Sequence, residues 1–410
     1  MLSDRGQPYD PYFSALNRLL REEGLGRPVM VLDLDRLDHN LERLRRSLPA
    51  RFKLRIVNKS LPSPKLLEYV LKASGTQRQM VFHGPFLRQT VRLFPQADIL
   101  LGKPMPIKAL ETFYRDLGPT SFEPSSQLRW LVDTQERLEQ YLGLARNLGV
   151  KLRVNLEIDV GLHRGGFPEP AALQPVLRLI QENPQRLEFA GFMGYDAHVG
   201  KLPSFLEKPE VSLAKSQAAY RAFIGYVRGQ FPELFQPSLT FNGAGSPTFR
   251  LHQDNSPLNE VSLGSVLVKP LDFDLPVLCD FEPAAFIATP VLKVLEGTKL
   301  PGLERFAGFL PKLIPNWQRT HFIYGGRWPA KPVSPGGLAE NPLYGKSFNQ
   351  AILNGSRRTN LRVDDYVFLR PYESESVMLR FGDLVVVREG KIADFWPVFA
   401  EGDTPLSGGR

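Results

Sequence analysis

The chain has 410 residues, of which 42% are hydrophobic and 10% aromatic, a composition typical of a folded protein with cores and not of a disordered or fibrous chain. Its net charge of +8 is spread along the sequence, which favours small anionic ligands and argues against a nucleic-acid partner. A single cysteine, Cys279, excludes an intramolecular disulfide and a multi-cysteine zinc site, and its apolar neighbours predict a buried position. No apolar run approaches the ~20 residues that cross a bilayer, and residues 1–13 lack a signal-peptide profile, so we expect a cytoplasmic protein with no membrane partner.

Short apolar runs alternate with amphipathic segments through most of the first 260 residues, which is the pattern of repeated βα units around a parallel sheet. The predicted strands lie at 29–34, 54–57, 80–82, 98–101, 129–132, 151–158, 187–195 and 238–241. Eight such units predict an α/β fold with a TIM-like (β/α)8 barrel, in which functional groups gather at the carboxyl ends of the strands.

The texture of the sequence changes after Gly264. Residues 270–340 are rich in Pro and Gly, and residues 362–398 contain further predicted strands within the segments DDYVFL, SVMLRF and DLVVVREGKIADFWPVF, with REGK as a hairpin turn. We therefore predict a barrel domain at residues 28–265 and a second, mostly β domain at residues 266–410, on which residues 1–27 could pack.

Lys59 follows the apolar run at 54–57 directly. A lysine is strongly solvated, so one at the carboxyl end of a buried strand is typical of Schiff-base chemistry, which requires a neutral amine in a desolvated pocket. The alternative is a solvated loop lysine before a helix that starts at Ser60 and Pro62. The lysine by itself leaves both interpretations open.

Two clusters follow later strands. Asp159 ends a strand that turns through Gly161 and presents Arg164, whose guanidinium can bind a phenolate or carboxylate through two hydrogen bonds. The alternative there is an ordinary turn with a surface ion pair. His198 offers a ring that can lie against a cofactor or act as acid or base, and Tyr195 adds a second ring. The alternative for His198 is a structural histidine.

Gly-rich turns come next along the chain. The run FNGAGSPTF at 241–249 exposes backbone N–H groups that can surround a phosphate, with Ser246 and Thr248 as hydroxyl donors. The run EVSLGSVLVKP adds Gly264 and Ser265 as a second phosphate contact. A Gly-rich turn is often only a turn, but two of them after late strands fit the phosphate site of TIM barrels.

The order of these motifs resembles that of the fold type III pyridoxal phosphate enzymes in the alanine racemase N-terminal-domain superfamily. Within it the chain is similar to the D-threonine aldolase and D-serine dehydratase family. The resemblance extends from about residue 28 to 398 and includes the β segment RPYESESVMLRFGDLVVV. It implies pyridoxal 5'-phosphate as cofactor, a small amino-acid substrate and a homodimer in which the β domain of one subunit completes the site of the other.

The resemblance also implies a role for each matching residue. Lys59 would form the Schiff base with the cofactor and move the α-proton of the substrate. Arg164 would lie near the phenolic oxygen, His198 beside the pyridine ring and Tyr195 at the wall of the pocket, which makes Lys59, His198 and Tyr195 the predicted catalytic residues. The predicted phosphate contacts are Asn242, Gly243, Gly245, Ser246, Gly264 and Ser265.

The sequence departs from the family in two places. Leu263 occupies the place where racemases of this family have an Arg that contacts the pyridine nitrogen. Members that cleave or dehydrate D-β-hydroxy amino acids resemble one another in a metal-binding His-x-Cys or His-x-Asp pair, whereas this chain has Glu373 and Glu375 there and no histidine after His321. On a strand the two glutamates would point to one face and could hold magnesium or manganese, bind a substrate ammonium or be solvated.

The resemblance therefore predicts a pyridoxal-phosphate-dependent lyase that acts on a D-amino acid or a β-hydroxy amino acid, by retro-aldol cleavage or β-elimination. One alternative is an amino-acid racemase, which would need a second base opposite the lysine. Another alternative is a pyridoxal phosphate binding protein without turnover.

Overall fold

The structure of the protein is a computed structural model that describes residues 3–200, 205–298, 302, 314–400 and 402. The chain divides into two compact units. The sheet unit comprises Met1–Asn40, Leu267–Asp274 and Phe281–Val398, and the barrel unit comprises Leu41–Val266, Leu275–Asp280 and Phe399–Arg410. The domain limits of 28–265 and 266–410 stay a prediction.

The strands and helices are numbered in chain order. The strands are β1 (Val29–Asp33), β2 (Lys53–Val57), β3 (Arg78–Val81), β4 (Asp98–Leu101), β5 (Leu128–Val132), β6 (Leu152–Glu157), β7 (Leu187–Gly194), β8 (Thr240–Gly243), β9 (Glu260–Leu263), β10 (Ala285–Glu296), β11 (Arg319–Tyr324), β12 (Ala330–Ser334), β13 (Ala339–Glu340), β14 (Gln350–Gly355), β15 (Tyr366–Pro371), β16 (Asp383–Arg388) and β17 (Lys391–Pro397). The helices are α1 (Pro11–Glu22), α2 (Leu34–Ser47), α3 (Pro64–Ser74), α4 (Gly84–Leu93), α5 (Ile107–Arg115), α6 (Pro124–Gln127), α7 (Gln135–Leu148), α8 (Gln174–Glu182), α9 (Pro209–Gln230) and α10 (Glu375–Met378).

Strands β2 to β9 form the closed barrel of the barrel unit, and every pair in it is parallel. Closure occurs between β2 and β9, where Ile56 lies opposite Leu263. The predicted eight-stranded α/β barrel with a mostly β second part is thereby confirmed.

The identity of one barrel strand differs from the prediction. The run at 29–34 was expected to open the barrel, but β1 lies in the sheet unit, antiparallel to β10 and parallel to β16. The barrel instead takes its eighth strand from Glu260–Leu263, which the sequence pattern did not mark as a strand. All five residues of β1 are buried, and a run buried on both faces has the same apolar pattern in either sheet.

The sheet unit holds a nine-stranded sheet in the described residues, with the main order β13-β14-β11-β10-β1-β16-β17. The predicted hairpin at REGK is confirmed, because β16 and β17 pair antiparallel around residues 389 and 390. The predicted strand SVMLRF is wrong: Glu375–Met378 is helical and Leu379–Phe381 is a 3-10 turn. Glu373 accepts a hydrogen bond from the Ser376 amide, and such a side-chain cap competes with strand pairing.

Local sequence signals explain where the helices begin and end. Asp10 caps α1 by accepting a hydrogen bond from the Phe13 amide, and Pro11 occupies the first helical position. Thr134 caps α7 in the same way, and Gly149 ends it in the left-handed conformation. Both ends of this helix are therefore set by local signals of the sequence.

Apolar contacts hold each unit together. In the sheet unit, Phe13 of α1 packs edge-on against Phe286, with ring centroids 5.1 Å apart, and in a tilted arrangement against Phe368, with centroids 4.9 Å apart. In the barrel unit, the buried Trp130 of β5 packs against Phe113 and Tyr141 of the surrounding helices.

Cys279 does not lie where its sequence context predicts. Its side chain is exposed, although the preceding residue, Leu278, is fully buried. Among the described residues, no helix is both long and apolar enough to cross a membrane.

Candidate active site

Five neighbouring strands bring the predicted site residues to one end of the barrel. Strands β6, β7, β8, β9 and β2 pair in that order around the barrel. Arg164 follows β6, His198 follows β7, Ser246 follows β8, Ser265 follows β9 and Lys59 follows β2. Because the strands are parallel, these five loops leave the same, carboxyl, end of the barrel, which is the functional end of such folds.

Lys59 lies in the 3-10 turn Asn58–Ser60 immediately after β2. The turn is anchored by the buried Asn58 side chain, which donates to Gln79 Oε1 at 3.0 Å and to Thr90 Oγ1 at 3.1 Å. The Lys59 Nζ atom lies 4.5 Å from the centroid of the Phe82 ring. The lysine is therefore held over an aromatic face by a rigid turn.

Three buried serines connect the ends of β2, β8 and β9. Ser265 Oγ donates to Ser60 Oγ at 3.0 Å, and Ser246 Oγ accepts a hydrogen bond from the Val266 amide at 3.1 Å. We call Ser60, Ser246 and Ser265 the serine cluster; their exposures are 3%, 6% and 8%. The sequence reasoning treated Ser60 only as a helix start and missed it, although its place beside Lys59 was a usable signal.

Two glycines allow the backbone to approach these groups closely. A Cβ atom on Gly264 would lie 2.7 Å from Ser60 Cβ, and one on Gly245 would lie 2.7 Å from the Tyr195 ring. Any larger residue would therefore displace the serine cluster or the ring. These positions require glycine for space and not for a positive φ.

His198 and Gly161 bring the loops after β6 and β7 together. A Cβ atom on Gly161, whose φ is +112°, would lie 2.9 Å from His198 Nε2. That nitrogen is 3.2 Å from Ser216 Oγ, whereas Nδ1 is buried and has no hydrogen-bond partner within the described residues. Burial lowers the pKa of His198 below its ordinary value of 6.5, so the ring is neutral at neutral pH.

Arg164 and Tyr195 are in contact at the same end. The Arg164 guanidinium carbon lies 5.2 Å from the centroid of the Tyr195 ring, and Nη2 is 4.0 Å from Glu157 Oε1. The Arg164 side chain remains 57% exposed, so it can still bind a ligand.

His163 is a residue of this loop that the sequence reasoning missed. It has a positive φ of 54°, which is unusual for a residue other than glycine. Asp159 holds it there, because its Oδ2 lies 2.7 Å from His163 Nδ1 and its Oδ1 accepts hydrogen bonds from the amides of Gly161 and His163. Burial alone would raise the pKa of Asp159, but these bonds lower it below its ordinary value.

Asn242 and Gly243 lie within β8 and not in the loop that follows it. The Asn242 amide donates to Glu260 Oε1 at 2.9 Å and to Ser262 Oγ at 2.8 Å, so its side chain faces the barrel interior. A Cβ atom on Gly243 would lie 2.8 Å from the Gly194 carbonyl oxygen. Cofactor binding by this pair stays a prediction, and Gly245 and Ser246 lie in the loop that follows the strand.

The comparisons with known proteins agree on the architecture. A family model described as alanine racemase, N-terminal domain, matches residues 32–271, which is more than half of the chain. The chain belongs to this family. The alanine racemase N-terminal domain family consists of fold type III pyridoxal phosphate enzymes, which include lyases and racemases.

Solved structures with the same fold include both reaction types. D-threonine aldolase from Filomicrobium marinum is 18% identical with a TM-score of 0.70, and the similarity covers 92% of this chain and 98% of that one. D-threo-3-hydroxyaspartate dehydratase from Delftia sp. HT23 is 17% identical with a TM-score of 0.69 over 92% and 98%. Alanine racemase from Bacillus anthracis is 14% identical with a TM-score of 0.65 over 90% and 97%. No curated protein sequence matches the chain.

The predicted metal ligands of this family member lie in the sheet unit. Glu373 and Glu375 are not on a strand, since β15 ends at Pro371 and α10 begins at Glu375, so the argument that they share a strand face is wrong. The Glu373 carboxylate accepts hydrogen bonds from the Ser376 amide at 3.1 Å and hydroxyl at 2.7 Å. In the part of the chain that the structure describes, no group of three or more His, Cys, Asp or Glu side chains could hold a metal ion. The metal role stays a prediction.

Proposed function

We propose that this chain is a pyridoxal-phosphate-dependent lyase that acts on a D-amino acid or a β-hydroxy amino acid, by retro-aldol cleavage or β-elimination. The observation that carries the proposal is the placement of Lys59 beside the serine cluster on adjacent barrel strands. An amine next to buried hydroxyls and close-packed glycines fits a cofactor that has both an aldehyde and a phosphate.

The residues at the barrel end fit the separate parts of pyridoxal phosphate. The serine cluster would hold the phosphate: Ser246 accepts from the Val266 amide and keeps its own hydroxyl hydrogen for a ligand oxygen. His198 and Tyr195 offer rings for the pyridine, and the exposed Arg164 offers donors for the phenolic oxygen. The donor set therefore matches an anionic, aromatic ligand.

The chemistry needs only a few groups of this chain. When bound, the cofactor withdraws electrons from the substrate Cα, so that a bond to this carbon can break. Lys59 would accept and return a proton at Cα through its Nζ atom. The neutral ring of His198 would pack on the cofactor without adding a positive charge beside it. Which reaction occurs would depend on which bond to the substrate Cα these groups orient for cleavage.

The same residues could serve two functions other than that of a lyase. An amino-acid racemase would need a second base opposite Lys59, and the racemase-type Arg is replaced by Leu263, which is 1% exposed. A binding protein without turnover would share the Lys59 site but convert no amino acid. A homodimer and a cytoplasmic location stay predictions.

Visible absorbance tests cofactor binding. Purified protein reconstituted with pyridoxal phosphate should be yellow, and borohydride should bleach the colour by fixing the cofactor to Lys59. Lys59→Ala should remain colourless after reconstitution, and peptide mapping should find the reduced adduct on Lys59 alone. A wild-type protein that stays colourless with added cofactor would refute the proposal.

A substrate panel tests the reaction. We expect D-β-hydroxy amino acids to release an aldehyde, for aldol cleavage, or a keto acid and ammonia, for elimination. The panel should contain both enantiomers, with magnesium, manganese or a chelator added in parallel. Inversion of configuration without either product would identify a racemase, and cofactor binding with no product from any amino acid would identify the non-catalytic protein.

A further inference from the structure

A buried chain of hydrogen bonds lies next to the Gly-rich turn 244–248. Its central residues, Asp196, Thr248 and His252, are 3%, 0% and 2% exposed. Only Thr248 belongs to a motif of the sequence, and the contact between Asp196 and His252 spans 56 positions. Asp196 directly follows Tyr195 and precedes His198 by two residues, so it belongs to the loop that offers rings to the cofactor.

The hydrogen bonds connect the turn 244–248 with Asp196 and then with His252 and Ser256. Thr248 Oγ1 accepts from the Gly245 amide at 3.1 Å and donates to Asp196 Oδ1 at 2.7 Å. The other carboxylate oxygen, Asp196 Oδ2, lies 2.7 Å from His252 Nε2. His252 Nδ1 in turn lies 2.8 Å from Ser256 Oγ.

Every group in this network has a hydrogen-bond partner. A carboxylate only accepts, so His252 Nε2 carries the hydrogen in its bond to Asp196, and Nδ1 lies within hydrogen-bond distance of the Ser256 hydroxyl. A buried carboxylate without partners would be strongly unfavourable, and here both oxygens are bonded. The network is therefore complete without a ligand and has one defined geometry.

The network joins two loops that already touch. Asp196 lies in the loop of Tyr195, Thr248 lies in the turn of Gly245, and a Cβ atom on Gly245 would lie 2.7 Å from the Tyr195 ring. The hydroxyl hydrogen of Thr248 is given to Asp196, so Thr248 does not serve as the phosphate donor that the sequence reasoning expected. Thr248 can therefore affect a bound ligand only by holding the conformation of the turn 244–248.

We propose that Asp196, held by Thr248 and His252, is a positioning residue that fixes the turn 244–248 for phosphate binding. Through this turn the network makes the site select the phosphorylated cofactor over its unphosphorylated form, pyridoxal. The inference rests on the proposed binding of pyridoxal phosphate. Its distinctive consequence is a loss of selectivity between the two forms and not a general loss of binding.

Binding of both forms to Thr248→Val and Thr248→Ser tests the proposal. Valine keeps the shape of threonine but removes the hydroxyl, and serine keeps the hydroxyl. For Thr248→Val we expect the Kd of pyridoxal phosphate to rise roughly ten-fold or more, while the Kd of pyridoxal changes by less than about two-fold. Thr248→Ser should retain the wild-type ratio of the two Kd values. His252→Gln, at the far end of the network, provides a second variant that should lower the selectivity in the same direction.

Asp280→Asn is the matched control for a structural effect. Asp280 accepts hydrogen bonds of 2.6 and 2.8 Å from Arg250, which lies in the 3-10 turn directly after Thr248. This variant should lower the thermal stability without changing the ratio of the two Kd values. An equal weakening of both forms in Thr248→Val, or the same change of ratio in Asp280→Asn, would overturn the positioning role alone. A wild-type protein that binds neither form overturns the proposed function as well.

Discussion

Arg55 and Lys59 are basic residues four positions apart, but they differ in burial and in hydrogen bonding. Arg55 lies in β2 with no exposed surface, and all five of its N–H donors are used, by Glu260, Asp98 and the carbonyl oxygen of Gln79. Lys59 lies in the turn after β2, where its Nζ atom faces the Phe82 ring at 4.5 Å. Arg55 therefore bonds entirely within the barrel, whereas Lys59 is the residue to which our proposal assigns the cofactor.

Arg55 and the carboxylates around it stabilise one another's charged forms. Although its burial opposes the charge, Glu260 and Asp98 raise the pKa of Arg55 above its ordinary value. Burial would raise the pKa of Asp98, but Arg55 and Arg129 lower it well below its ordinary value. In the serine cluster, by contrast, Ser60 accepts from Ser265 and Ser246 accepts from the Val266 amide, and our proposal assigns their own hydroxyl hydrogens to a phosphate. A polar group inside a barrel therefore indicates function only when its hydrogen-bonding capacity is not already used.

The largest expected effect comes from exchanging each cation for methionine. Arg55→Met removes the fully buried cation that bonds both Glu260 and Asp98, so we expect it to lower the free energy of unfolding by about 3–5 kcal/mol. Lys59→Met should lower turnover by about 10⁴-fold or more and change the unfolding free energy of the cofactor-free protein by less than about 1 kcal/mol.

Urea unfolding of the cofactor-free variants, combined with activity at a temperature where both are folded, measures this contrast. Arg55→Met should keep the visible colour of bound pyridoxal phosphate, and Lys59→Met should lose it. If the two variants lose stability and colour to the same extent, the distinction between the two regions does not hold.

His321 in the sheet unit sharpens the comparison, because it is buried with neither a charged partner nor a ligand. It is 1% exposed, and neither ring nitrogen has a hydrogen-bond partner among the residues the structure describes. Burial, assisted by Arg319, lowers the pKa of His321 from 6.5 to about 4. As the pH falls, His321 takes up a proton in the unfolded chain before it does so in the folded protein. The contribution of its neutral ring to the free energy of unfolding is therefore complete above pH 6.5 and is lost between pH 6.5 and about 4.

The lowered pKa corresponds to about 3 kcal/mol of stability across this pH window. His321→Leu should remove most of this pH dependence, which unfolding experiments at several pH values on either side of the window would measure. An unchanged pH profile in His321→Leu would exclude His321 as the source.

Gly264→Ala tests whether the serine cluster needs its close packing. The added Cβ would lie 2.7 Å from Ser60 Cβ, so the cluster must move, and we expect pyridoxal phosphate affinity to fall roughly ten-fold. Gly143→Ala is the control, because a Cβ atom there meets nothing within 4 Å. Equal affinity of both variants and wild type would contradict a role for this packing.

The smallest effect is expected at the predicted metal ligands. Because the Glu373 carboxylate caps its own turn, Glu373→Gln combined with Glu375→Gln should change turnover by less than about two-fold and stability by less than about 1 kcal/mol. Activity with and without a chelator should respond alike in the variant and the wild type. A metal-stimulated activity that disappears in the variant would instead support the metal role.

The sequence predicted the repeated βα units, the hairpin at residues 389 and 390, and the order of the loops after β2, β6, β7 and β8. These features are encoded locally, because apolar periodicity, capping residues and glycines act within a few positions. It also singled out Lys59 by its position at a strand end. The sequence did not distinguish β1 from a barrel strand, because β1 and the barrel strands are both written as continuous apolar runs, and β1 is buried at all five residues.

Only the tertiary structure decided how the polar residues divide between fold and site. Arg55 meets Glu260 across 205 positions, Ser265 meets Ser60 across 205, and His252 meets Asp196 across 56. Asn242 turned inward and Glu373 turned back on its own helix, although both were expected to bind ligands. A hydrogen bond depends on the arrangement in space of both partners, and local sequence carries only one of them.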